Sequence, residues 1–163
     1  MPASLDAIRG FLDERKIRHF SDPTDTALVM PFRLSPRFSS SVMVKVEDDG
    51  RYLQITCRDL PLVEGSHPMI GELQQCLLAM NMRKRFVKFS QDPLDGEIVA
   101  SGEAWLEDMP LTSDAFHRMM GNFLACLREA HDCVESVLAG RGMPEDTDED
   151  EDESTGDSAR DAA

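Results

Sequence analysis

The chain has 163 residues, with 17 Lys+Arg against 31 Asp+Glu, a net charge of −14 and 41% hydrophobic residues. That length lets one domain bury most of its apolar surface, and the acidity disfavours nucleic acid, itself a dense line of negative charge. No apolar run approaches the roughly 18 residues of a membrane span and no N-terminal leader pattern is visible, so a cytoplasmic protein without a membrane partner is expected.

Ser4 can cap a first helix running to about Arg15, with Leu5, Ile8, Phe11 and Leu12 on one face. Ile17 to Phe20 reads as a short strand before the Ser21-Asp22-Pro23-Thr24-Asp25 turn. Thr26 to Phe32 follows as a strand that Pro31 and Pro36 confine to a sheet edge. Ser40 to Val46 alternates cleanly, with Val42, Val44 and Val46 inward against Met43 and Lys45. Glu47-Asp48-Asp49-Gly50 carries the Asp-Gly hairpin signature, and Arg51 to Cys57 runs back. Pro68 opens a second helix whose buried stripe is Ile70, Leu73, Leu77 and Met80 and which ends near Asn81.

Arg85 to Ser90 reads as a strand, Gln91 to Gly96 as turn chemistry, and Glu97 to Leu106 as the returning strand. Ala100, Gly102 and Ala104 share one face of that strand, and small side chains there let a helix approach closely. Thr112 caps the last helix, whose stripe is Phe116, Met120, Phe123, Leu127, Ala130, Val134 and Leu138, and Gly140-Arg141-Gly142 ends it. A helix from Ser113 to Ala139 is about 40 Å long, roughly twice a typical strand. Its excess must overhang the sheet, bend at Gly121 or pack on a second copy, and the last option makes a homodimer the expectation. The sum is an α+β domain with an antiparallel sheet of about five strands and three helices over residues 1–143. Beyond it, residues 144–163 hold ten acidic residues against Arg160 alone, which leaves about −5 for the body. With no apolar periodicity, this segment is expected to be a disordered acidic tail.

The run Asn81 to Ser90 (N-M-R-K-R-F-V-K-F-S), the following D-P-L-D-G-E-I-V, Pro110-Leu111-Thr112 before the last helix and the hairpin at Asp49-Gly50 together resemble the YbjN-like domains. That family is provisionally described as bacterial sensory-transduction regulators and is similar in fold to type III secretion chaperones. The resemblance spans roughly Leu5 to Leu138. It implies the order α-β-β-β-α-β-β-α, frequent dimers in the chaperone branch and no enzymatic activity. Secretion chaperones wrap an extended segment of cargo around hydrophobic patches, but the family supplies no functional motif that could be carried onto this chain.

Chemistry is sparse. His19, His67, His117 and His131 are scattered and read as solvent-facing or rim residues, and neither Gly-x-Ser-x-Gly nor His-Glu-x-x-His occurs. Asp92, Asp95 and Glu97 cluster where turn duty explains them, and Asp148-x-Asp150-x-Asp152 lacks the Gly and Glu of a calcium loop. Cys57, Cys76, Cys126 and Cys133 show no close pair and read as thiols of a reducing compartment. No catalytic residue, metal ligand or cofactor is expected. Arg83, Lys84, Arg85 and Lys88 form one compact basic cluster, a candidate contact for an anion or acidic peptide. Phe116, Met119 and Phe123 are the candidate partner interface, given how readily methionine surfaces adapt. The expected function is a non-enzymatic protein-binding module, chaperone-like or regulatory, whose partner is a protein or peptide segment. The alternative is an acidic adaptor whose tail docks a basic partner.

Overall fold

The computed structural model describes residues 3–107 and 109–142. The chain runs α1 (Leu5–Glu14), β1 (Phe20–Ser21), β2 (Ala27–Arg33), β3 (Ser39–Glu47), β4 (Tyr52–Cys57), α2 (Ile70–Arg83), β5 (Val87–Gln91), β6 (Ile98–Trp105) and α3 (Ser113–Leu138). Ser4 Oγ accepts the Ala7 N–H and Thr112 Oγ1 the Ala115 N–H, so both expected N-caps form. The sheet is antiparallel, with strand order β1-β2-β3-β4-β6-β5. The two-residue β1 lies at the end of the short strand expected over Ile17 to Phe20 and brings the sheet to six strands. The hairpin between β3 and β4 turns through a single 3-10 turn, Asp48–Gly50, in which Asp48, Asp49 and Gly50 all take positive φ.

Alternation decides the two faces of the sheet. Leu28, Met30, Val42, Val44, Leu53, Ile55, Val87, Phe89 and Ile98 point inward and join the helix stripes in one continuous core. The opposite face carries Val29, Arg33, Ser41, Met43, Gln54, Ser101 and Trp105, all half-buried or exposed. On the inner face the small-residue reading of β6 holds. A Cβ at Gly102 would stand 2.8 Å from the Phe86 ring and 3.2 Å from the Phe123 ring, so its absence lets both rings settle on the strand.

The length of α3 is used within the chain. Its buried residues run from Phe116 to Val137, and the helix is unbroken through Gly121. The first turns pack on α1, where His117 Nε2 lies 2.9 Å from Phe11 O and Arg15 pairs with Asp114 at 3.2 Å. Further along, Arg128 Nε donates to Leu34 O at 3.0 Å and Phe38 stacks on His131 at 4.1 Å, which fixes the β2–β3 turn to the helix. On its other flank lies α2. A second copy is therefore not needed to cover α3, and helix length ceases to be an argument for a dimer.

Two further expectations change. Cys76 of α2 and Cys133 of α3 are joined in a disulfide with Cα atoms 7.1 Å apart, while Cys57 and Cys126 remain buried thiols. Fifty-seven positions separate the pair in sequence, so only the packing of the two helices brings them together. His117 and His131 are buried at 9% and 6% exposure rather than at the rim. Fourteen residues apart on one helix, they recur on nearly the same side of it. The tail expected over residues 144–163 lies outside the described residues.

Candidate interaction surface

The residues singled out as a partner stripe mostly belong to the core. Phe116 and Phe123 are 0% exposed, and only Met119 is half-buried near the surface. Phe116 and Phe123 do share one helix face, and that face lies on the sheet and α1. Interface duty at Phe116 and Phe123 is thereby corrected.

The basic cluster is largely spent on internal contacts. Lys84 Nζ lies 2.5 Å from Glu129 Oε2 and Arg83 NH2 3.8 Å from Glu129 Oε1, tying the end of α2 to α3. Lys88 Nζ donates to Asn81 O at 2.7 Å and Lys84 O at 2.6 Å, at the negative end of the α2 dipole. Of the four, only Arg85 carries none of these contacts, and it is exposed. The cluster closes a helix end; as an anion site it has little left to offer.

The surface that does stand open is between α2 and β5. Gln74, Leu77, Leu78, Asn81, Phe89, Ser90 and Gln91 line a groove of about 320 Å³. Beside it, Leu78 is 62% and Met82 89% exposed, one helical turn apart. Both sit off the buried stripe of Leu73, Cys76, Leu77 and Met80, an i, i+4 signal present in the sequence but unread there. Polar groups hold the floor of the groove. Phe89 N–H donates to Asn81 Oδ1 at 2.7 Å, and Asn81 Nδ2 donates to Phe89 O at 2.8 Å. Gln91 Nε2 donates to Val63 O at 2.9 Å and Gln74 Nε2 to Gln91 Oε1 at 3.2 Å.

The bare face of the sheet is electrically divided. At one end Trp105, 66% exposed, lies against Tyr52 with ring centroids 4.9 Å apart, between Glu47 and Glu103. Burial, and then the neighbouring Glu103 carboxylate, push the Tyr52 hydroxyl up to about 12, so it stays a donor at any ordinary pH. At the other end Arg18 and Arg33 border a wider groove with Pro31, Ser39, Ser41 and Asp59.

Chemistry of other kinds finds little to build on. Among the described residues no group of three or more His, Cys, Asp and Glu could hold a metal ion. Asp92 and Asp95 accept the Leu94 and Glu97 N–H groups at 2.8 and 2.9 Å, and Glu97 pairs with Arg58 at 2.7 Å. Burial pushes the Cys57 and Cys126 thiols up, the reverse of what an activated nucleophile needs. No helix of the described residues is long and apolar enough to cross a membrane.

No protein-family model matches the sequence, and no curated protein matches it. Solved structures do. The crystal structure of YbjN from E. coli, provisionally a transcription regulator, aligns with a TM-score of 0.61 at 18% identity, covering 87% of this chain and 97% of that one. A chain of the HopA1-SchA chaperone–effector complex aligns with a TM-score of 0.55 at 15% identity, covering 80% and 99%. An uncharacterized protein from Methanothermobacter thermautotrophicus aligns at 0.51 and 14%, covering 86% and 100%. At these identities the likeness is one of fold, and the chain has the YbjN-like, type III secretion chaperone-like α+β fold.

Proposed function

We propose that the protein is a non-enzymatic, chaperone-like binding module that receives a segment of another protein on the α2–β5 side, and that it acts in the cytoplasm without nucleic-acid or membrane partners. The observation that carries this reading is the pair Leu78 and Met82. Two large apolar side chains stand in water one helical turn apart beside a groove, whereas the other exposed large apolar side chains, Phe20, Leu62, Leu94, Trp105 and Met109, lie scattered over loops and strands. A fold shared with a chain of a chaperone–effector complex agrees with a protein partner. The same face is where a second copy would sit in the proposed homodimer, since burying Leu78 and Met82 against their symmetry mates makes a self-complementary patch.

The test uses extract pull-downs with three full-fold versions of the chain, read by mass spectrometry. A protein retained by the wild type and by a chain lacking residues 144–163, and lost by the Leu78→Asp, Met82→Asp double variant, supports the groove. Retention lost with the tail alone would instead support the acidic adaptor. Sedimentation of the wild type and the double variant decides the dimer: a dimer that survives both substitutions does not use this face. Steady capture by all three chains would overturn the α2–β5 reading.

A further inference from the structure

We propose that the Trp105 end of the bare sheet face is a docking point for an arginine side chain of a protein partner, with the guanidinium laid on the indole and forked to Glu103. This surface lies on the side of the sheet turned away from the helices, so it goes beyond the α2–β5 reading and stands or falls separately from it.

Strand register builds the site. Glu47, Tyr52 and Trp105 stand opposite one another in a row across β3, β4 and β6, and Lys45, Gln54 and Glu103 form the next row. Period-two alternation puts both rows on one face, and two strand spacings carry the first row about 10 Å from Glu47 to Trp105. Tyr52 lies against the indole with ring centroids 4.9 Å apart and planes tilted by 49°, which leaves Trp105 66% exposed. Gln54 Nε2 donates to Glu103 Oε1 at 3.3 Å, and the Tyr52 hydroxyl turns to the same carboxylate. Both donors are neutral, so they orient Glu103 and leave its charge unmatched.

The occupant follows from what is missing. Among the described residues no cation stands within ion-pair distance of Glu47 or Glu103, and Lys45, though adjacent, reaches neither. Nor does a cation lie over the Trp105 ring, whose aromatic contact is with Tyr52. Elsewhere the chain completes such arrangements itself: Arg58 pairs with Glu97, Lys84 with Glu129, and Arg18 lies over the Phe20 ring at 4.9 Å. The Trp105 end holds an aromatic face and an oriented carboxylate side by side, without the cation that suits both. Arginine suits them best. Its planar guanidinium stacks on indole, the strongest aromatic partner for a cation, while its N–H edge forks to a carboxylate. Lysine brings a compact, strongly hydrated point charge, and an anion would meet two carboxylates. A lone exposed ion pair is worth little. Stacking raises this one, and exposed Trp and Tyr are side chains on which binding energy concentrates.

Trp105 is the only tryptophan of the chain, so its fluorescence reports on this site alone. The probe is an end-blocked peptide of arginines spaced by glycine, titrated into the full chain at low salt beside the same peptide with lysines. Expected is a saturable change in emission, with the lysine peptide binding several-fold more weakly. The Glu47→Gln, Glu103→Gln variant keeps a side-chain carbonyl for the Gln54 amide and should bind the arginine peptide several-fold more weakly than the wild type. No change in emission, or equal affinity for the two peptides, would overturn the proposal. So would equal binding by the variant, which would assign the capture to carboxylates elsewhere, those of residues 144–163 included. The comparison of peptides uses the wild type alone, so misfolding of the variant cannot obscure the answer.

Discussion

At the β5 edge of the sheet a side chain stands in for the missing strand, whereas at the β2 edge the backbone itself withholds a donor. Asn81, the residue at which sequence periodicity ends α2, gives its amide to both backbone groups of Phe89. On the far side, β1 covers only Leu28 and Val29, with the Asp22 N–H reaching Ala27 O at 3.0 Å. Antiparallel alternation then points the backbone of Pro31 and Arg33 outward beyond β1, and proline has no N–H to offer. An unpaired edge invites another chain. One edge is closed by adding a partner and the other by deleting a group, so the two should fail differently.

The β5 edge depends on α2 staying in place, and the strongest way to break it is to free that helix. Reducing Cys76–Cys133 opens a loop of 57 residues, worth about 4 kcal/mol by the chain-entropy estimate. Denaturant midpoints with and without reductant should show that loss, and Cys133→Ala should reproduce it without reductant. No shift would mean that packing alone holds α2 on α3. Asn81→Ala should come next, at about 2–3 kcal/mol, because it strands the part-buried N–H and C=O of Phe89. Urea unfolding measures it, and the variant should also self-associate as the edge opens. A stable variant no more associated than the wild type would show that water replaces the amide.

The β2 side is held more lightly, through the Asp22 turn. Its carboxylate accepts the Thr24 hydroxyl at 2.5 Å and the Ala27 and Thr26 N–H groups at 2.7 and 2.6 Å. These bonds, the Thr24 hydroxyl foremost, hold Asp22 at about 2 against an ordinary 3.8. The folded chain therefore binds this proton later than the unfolded one. The contribution is complete above pH 4 and drains away as pH falls toward about 2. Asp22→Asn should flatten the acid limb of the stability curve in that window, leaving the variant less stable than the wild type at pH 7 and closest to it near pH 2. A parallel limb in the variant would assign the acid sensitivity to other carboxylates.

Sequence reading caught what depends on local periodicity and missed what depends on who faces whom. The valines of β3, the turn at Gly96 and the caps at Ser4 and Thr112 are local, and each forms as expected. So does the close approach over Gly102, because a run of small residues on one strand face has a single use. The stripe at Phe116, Met120 and Phe123 was visible too, but periodicity names a buried face without naming its cover. Phe116 and Phe123, expected with Met119 to form a partner surface, are core, as the stripe they share with Met120 implies. Arg83 to Lys88 looked like free charge because Glu129 lies more than forty residues away, and Cys76 and Cys133 looked unpaired for the same reason. Leu78 and Met82 lie off the buried stripe of α2, and a lone i, i+4 apolar pair does not tell whether anything covers it.

Pro31 sharpens the comparison most, since its effect on stability should be nearly nil. Pro31 is exposed at the sheet edge and its ring faces water on the bare side of the sheet. Pro31→Thr keeps a strand-forming residue there and restores an N–H aimed past the end of β1. Stability should move by no more than about 0.5 kcal/mol, as for other exposed positions. Association should not be so indifferent: with Pro31 and Arg33 both able to pair, a second chain can add along β2. Sedimentation velocity over a concentration series should reveal in Pro31→Thr a larger assembly than the wild type forms. The Asn81→Ala variant should associate as well, but only at a cost in stability, because there the lost partner was a contact and not an absence. If Pro31→Thr stays in its original state at every concentration, the charges of Arg18 and Arg33 guard the edge instead of the proline. Combining Pro31→Thr with Arg33→Gln would then bring the association out.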